Sequence, residues 1–131
     1  MKVDIFILSD RIRGEFHHLI TEIRQNRKMY DYSTSDYYMY SFMLEGAYHF
    51  SFRLNDVIKN EYKKSQFVDI YSLKQKIGES LTLLMHEIRH EAQKYNRKSK
   101  DYVRCDYMIR GAYHFFFCVI SLINKKLEGG K

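Results

Sequence analysis

Apolar residues at 5, 8, 12, 16, 19 and 23 recur every three or four positions, and so do those at 43, 47, 50, 54 and 57. Spacing of that kind draws one stripe down a helix, because residues three and four apart share a face. The stretch between the stripes, around residues 29–35 (MYDYSTS), carries turn-forming residues, so the first half of the chain predicts a helical hairpin. Thr34 or Ser35 is placed to cap the second helix. Asp36 then falls in the first turn, where a carboxylate complements the positive helix terminus.

The second half repeats the first. Residues 3–63 laid over 68–128 at a constant offset of 65, without a gap, are identical at close to one pair in three, several times the chance rate. The anchors are VDI (3–5 and 68–70), EIR (22–24 and 87–89), DY (36–37 and 101–102) and GAYHF (46–50 and 111–115). The shared positions include apolar ones on the two stripes, Gly46/Gly111, and a polar set containing Asp4/Asp69, Glu22/Glu87, Arg24/Arg89, Tyr48/Tyr113 and His49/His114. Two hairpins predict an all-α four-helix bundle, a single domain of residues 1–131 made of units 1–65 and 66–131 related by a pseudo-twofold axis. Ser99 is the second unit's counterpart cap, both hairpin tips are expected at one end, and a short link near residues 65–67 enters the second hairpin. A mid-helix glycine costs about 1 kcal/mol relative to alanine. Gly46-Ala47 and Gly111-Ala112 are therefore expected where two backbones approach closely.

Composition narrows the class. The absence of proline and the presence of six glycines among 131 residues exclude collagen-like, proline-rich and linker-like chains. No run of eighteen apolar residues occurs, and the short apolar start bounded by Asp4 and Asp10 lacks a small-residue cleavage site. Cys105 and Cys118 lie thirteen residues apart on one predicted helix, roughly 20 Å, too far to bridge. A cytoplasmic protein with no membrane partner and no cofactor is expected. The net charge of +6 suits a polyanionic or acidic partner.

Several strings invite a chemical reading. HEIRH at 86–90 matches the HExxH pattern, in which two histidines on one helix face hold zinc beside a glutamate base. The first unit has TEIRQ there, so the duplicated feature is EIR, and His86 and His90 stand as an alternative metal pair for a metal-dependent hydrolase. His49 and His114 lie off the core stripe. Their readings are a buried hydrogen-bonded histidine against another helix or subunit, a general acid or base, or a metal ligand. The RGAYHFFF run resembles, over one helix, the arginine-aromatic helix of HEPN ribonucleases, and implies Arg110 and His114 as an alternative catalytic pair. Three residues separate that pair where the family has four to six residues between them, and Glu45 replaces the arginine in the first unit.

The units differ most in charge. Residues 1–65 carry 10 basic and 9 acidic side chains, residues 66–131 carry 12 and 7. Lys94, Arg97, Lys98, Lys100 and Arg104 crowd the second tip, whereas the first has Tyr30, Tyr32, Tyr37 and Tyr38 with no basic residue between 29 and 39. Side by side, such tips predict a non-enzymatic binding protein that engages nucleic acid or a nucleoprotein complex by phosphate attraction and base stacking. This small, Lys/Tyr/Asn-rich chain suits a phage or mobile-element regulator. A protein-directed inhibitor or assembly subunit is the third reading. It rests on the last helix, where YHFFFCVISLI (113–123) replaces the more polar YHFSFRLNDVI. A helix apolar nearly all round needs cover on every side, which predicts a homodimer or partner interface through Phe116, Phe117, Val119 and Ile120.

Overall fold

The computed structural model describes residues 1–129. Four helices are present: α1 (Ile5–Arg27), α2 (Ser35–Lys64), α3 (Ile70–Ala92) and α4 (Lys100–Gly129). Two three-residue strands, β1 (Lys2–Asp4) and β2 (Phe67–Asp69), precede α1 and α3. The architecture is an all-α bundle with a small ribbon at one end.

Local chemistry sets the helix boundaries, and it does so twice. Asp4 caps α1 by accepting from the Phe6 amide at 2.9 Å, and Asp69 caps α3 by accepting from the Ser72 amide at 3.0 Å. Thr34 accepts from the Tyr37 amide at 3.3 Å and Ser99 from the Tyr102 amide at 3.2 Å. Each cap satisfies an amide that the first helical turn leaves without an acceptor. Asp36 and Asp101 sit in the first turns that follow, as expected.

The ribbon was not anticipated. VDI stood out only as an anchor of the repeat, but Val3 pairs with Val68 in an antiparallel register that also joins Lys2 to Asp69 and Asp4 to Phe67. The Ile5 amide donates to the Gln66 carbonyl and the Ile70 amide to the Met1 carbonyl, both at 2.9 Å. The two valines are buried, so each strand places one apolar residue inward. A single inward residue is too short a signal for alternation to register in the sequence.

One end of each of the four helices gathers near the ribbon. α1 and α3 leave it, and α2 returns to it through Ser65. α4 also comes back, its Leu122, Lys125 and Lys126 facing Lys2, Ile7 and Arg11 across a groove. Both tips therefore meet at the opposite end, where the Lys100 ammonium lies 3.8 Å from the centre of the Tyr38 ring. α2 and α4 run parallel as the inner pair, and the equivalent rings of Phe50 and Phe115 touch near the pseudo-twofold axis with centroids 5.8 Å apart.

Close approach of α2 and α4 explains the duplicated glycines. A Cβ built on Gly46 would come within 2.6 Å of the Met108 carbonyl carbon and closer still to its oxygen; one on Gly111 would meet Met43 in the same way. Gly14 and Gly78 have nothing within 4 Å of such a Cβ. The buried apolar residues of all six elements form one cluster. Half-buried Phe16 packs on Tyr48 at 5.2 Å and on Phe115 at 4.9 Å, tying α1 to both inner helices.

The expectation for the last helix needs correction. Val119 is 0% exposed and belongs to the core, while Phe116 and Ile120 are half-buried against it. Phe116 lies 6.0 Å from Phe50 and from Tyr113. As a member of the inner pair, α4 is packed against α2, α1 and α3, so the bundle covers most of its circumference. Of the four proposed interface residues only Phe117, 54% exposed, faces solvent broadly. No described helix is long and apolar enough to cross a membrane.

Candidate functional site

The two tips use equivalent backbone positions for opposite ends. In the first, side chains satisfy one another. Tyr30 stacks on Tyr40 with centroids 5.8 Å apart and 21° between planes, and Tyr38 stacks on Phe42 at 6.1 Å and 24°. Tyr37 meets Tyr38 edge-on at 6.3 Å. The Arg27 guanidinium lies 5.0 Å from the Tyr37 ring centre and donates to Ser41 Oγ at 3.2 Å. Arg24 donates to the Tyr48 hydroxyl at 2.8 Å. Tyr32 stands apart, 74% exposed.

The second tip carries the charge, and only part of it is available. Lys94 donates to Glu91 at 2.9 Å, and the Tyr95 hydroxyl donates to the same carboxylate at 3.1 Å. Those hydrogen bonds hold the Glu91 carboxyl below its ordinary value and push the Lys94 ammonium above its own. Arg104 spans to α2, its Nε donating to Glu45 at 2.9 and 3.1 Å while its Nη2 bonds the second oxygen. This fork raises the guanidinium further. Lys100 is committed to Tyr38. Arg97 and Lys98 have no side-chain partner among the described residues, and Arg89 likewise has none.

Arg89 and Arg97 flank a groove of about 490 Å³ between the end of α3 and the start of α4. Its walls include Ala92, Gln93, Tyr95, Tyr102, Asp106 and Ile109. Equivalence explains why it is open. Ala92 occupies the position of Arg27, and Tyr102 and Asp106 occupy those of Tyr37 and Ser41, the two residues that Arg27 covers. Arg89 matches Arg24, but the Tyr113 ring packs on Phe117 at 5.0 Å and its hydroxyl takes no hydrogen bond from Arg89. On the far side of Tyr95, Cys105 replaces Tyr40 and leaves a smaller cavity of about 130 Å³ lined by Glu91, Arg104 and Met108. Burial pushes the Cys105 thiol above its usual value, which disfavours the reactive thiolate.

The structure brings together Lys100, Tyr37 and Tyr38 across the two tips, with Arg104 anchored alongside on Glu45. It leaves Tyr30 and Tyr32 on the first tip and Arg97 on the groove. Arg89, Ala92 and Tyr102 did not stand out in the sequence as site residues; the signal was the replacement of Arg27 by alanine between the retained Arg24/Arg89 and Tyr37/Tyr102 pairs.

The alternative sites have different surroundings. His86 and His90 are exposed on α3, and Glu87 between them is ion-paired with Arg53 of α2. Among the described residues no three histidine, cysteine, aspartate or glutamate side chains converge as a metal site would require. Arg110 pairs with Asp106 at 3.2 Å and lies 4.7 Å from the Tyr107 ring centre. His114 is one turn away on the same face, beside Met85, Ile109, Tyr113 and Phe117 on a shallow apolar surface. His49 and His114 are both exposed, which corrects the reading of a histidine buried against another helix of the bundle. No protein-family model, curated protein or solved structure matches the chain.

Proposed function

We propose that this is a non-enzymatic binding protein that engages nucleic acid, alone or within a nucleoprotein complex, through the end of the bundle where the tips meet. The observation that carries this reading is the meeting itself: the cationic tip touches the tyrosine-rich one through Lys100 and Tyr38, while Arg89, Arg97 and Lys98 keep their charge unpaired among the described residues. Phosphates are drawn by such cations, and the rings left open to a base are Tyr32, broadly exposed on the first tip, and Tyr102, which lines the groove of the second. The ion pairs of Lys94 and Arg104 give those two residues a structural part, the second by clamping α4 to α2. Binding of labelled single-stranded and duplex DNA and RNA across a salt series tests the reading. Affinity falling steeply with salt, and a log–log slope reduced by about 1.4 for single strands in the Arg97→Ala, Lys98→Ala double variant, is expected. Absence of binding at low salt overturns it.

A second reading is favoured by one observation, the shallow apolar surface of Met85, Ile109, Tyr113 and Phe117. An inhibitor or assembly subunit would use it against a protein partner, and a homodimer would use it against a second copy. Aromatic residues with an arginine at the rim are common anchors of protein interfaces. Sedimentation at micromolar concentration, with Phe117→Ser as the comparison, tests the homodimer.

A further inference from the structure

We infer that the groove between α3 and α4 is a site for a single phosphorylated base, a nucleoside monophosphate or one nucleotide of a single strand. The inference deepens the proposed function and rests on it for the natural ligand, but the groove can be tested without it. Three features define the ligand. Arg89 and Arg97 place two guanidiniums, without partners among the described residues, on one opening, and a guanidinium fork matches phosphate oxygens in pairs. Tyr102 presents in the groove the ring that in the first unit lies under Arg27; a base can take the place of that guanidinium, since both are flat groups that stack on tyrosine. Asp106, which pairs with Arg110 through one oxygen, has a second carboxylate oxygen as an acceptor on the same wall, where an amino group at a base edge can donate. The volume, about 490 Å³, lies within the range of small-molecule sites.

The first unit shows what a filled groove looks like. Arg27 covers Tyr37 and bonds Ser41, so this unit carries its own cationic plug. Alanine at 92 removes the plug and leaves the walls. The same comparison predicts single-strand preference, because a paired base inside a duplex cannot reach into a groove.

The test is isothermal titration and amide chemical-shift mapping of the full chain with AMP and UMP as probes, followed by oligonucleotides. Wild-type protein is expected to bind a nucleoside monophosphate with shifts at residues 89–109. Ala92→Arg restores the plug, over Tyr102 and beside Asp106, and is expected to weaken monophosphate binding at least about tenfold, roughly 1.4 kcal/mol. The variant adds a positive charge, so mere attraction to polyanions predicts the opposite sign. Tyr102→Ala is expected to lose roughly fivefold or more, the lower end of a base-stacking contribution. No monophosphate binding by the wild type, or binding that Ala92→Arg leaves unchanged or strengthens, overturns the inference. If oligonucleotides bind equally well to wild type and Ala92→Arg, the groove fails while the nucleic-acid reading stands. If monophosphates bind and Ala92→Arg abolishes it while no oligonucleotide binds at any salt, the groove stands and that reading fails.

Discussion

The two hairpins share their caps, their strands and the glycine contact of their inner helices, yet one tip is packed shut and the other is open. In the first, five aromatic rings and Arg27 consume one another's stacking and hydrogen-bonding capacity. In the second, Ala92 and Cys105 are smaller than Arg27 and Tyr40, and space opens on both sides of Tyr95. The difference teaches where to look for function in a duplicated fold. The retained apolar, glycine and capping positions hold the bundle together, and the candidate site is where one unit has lost a side chain that the other uses to cover its retained neighbours. The base of the bundle repeats the lesson with charge. Glu61, buried, pairs with Lys76 between α2 and α3, whereas the equivalent positions across α4 and α1 hold Lys126 and Arg11, two cations on one groove.

The largest effect should come from the feature the hairpins share. Gly46→Ala or Gly111→Ala forces a methyl group into a neighbouring backbone, so a loss of about 3 kcal/mol or more is expected by chemical denaturation. Gly14→Ala and Gly78→Ala, in open space on helices, should gain up to about 1 kcal/mol. Equal effects at all four glycines would break the account of the inner pair.

Next in size is the exchange of tip character. Arg27→Ala should open a groove over Tyr37 and create a weak second monophosphate site, read as new shifts at residues 24–44, with stability lowered by about 1 kcal/mol from the lost hydrogen bond. Unchanged shifts in the first unit would show that Arg27 is not what closes it.

A smaller effect belongs to the clamp between the inner helices. A double-mutant cycle on Glu45 and Arg104 should give a coupling of about 0.5 to 1 kcal/mol, as for a well-formed but solvent-accessible fork. The smallest is expected at the base. Lys126→Glu places a carboxylate opposite Arg11 as Glu61 faces Lys76, and should raise stability by a few tenths of a kcal/mol, more at low salt. A loss there would contradict the equivalence of the two grooves.

Much of this fold was legible in the chain. Stripe spacing fixed the helices, the offset of 65 gave the pseudo-twofold, and Gly46 and Gly111 marked the close approach. The ribbon was not legible because Val3 and Val68 are its only inward side chains. The cover over Val119 was misjudged because amphipathicity describes one helix, whereas burial depends on which helix takes the inner place. The site was half legible: the charge imbalance pointed to the second tip, but which cations are paired depends on contacts such as Arg104 with Glu45, 59 residues apart in sequence. Ala92 carries no chemistry of its own and becomes meaningful only beside Arg27.

The asymmetry of the tips is tested most directly by mapping amide shifts while a short single-stranded oligonucleotide is titrated into the wild-type protein at low salt. The largest shifts are expected at Arg89, Ala92, Arg97, Lys98 and Tyr102, with little movement at the equivalent residues 24, 27, 32, 33 and 37 except beside Lys100 and Tyr38. Equal shifts at both tips, or shifts confined to the ribbon end, would contradict the account.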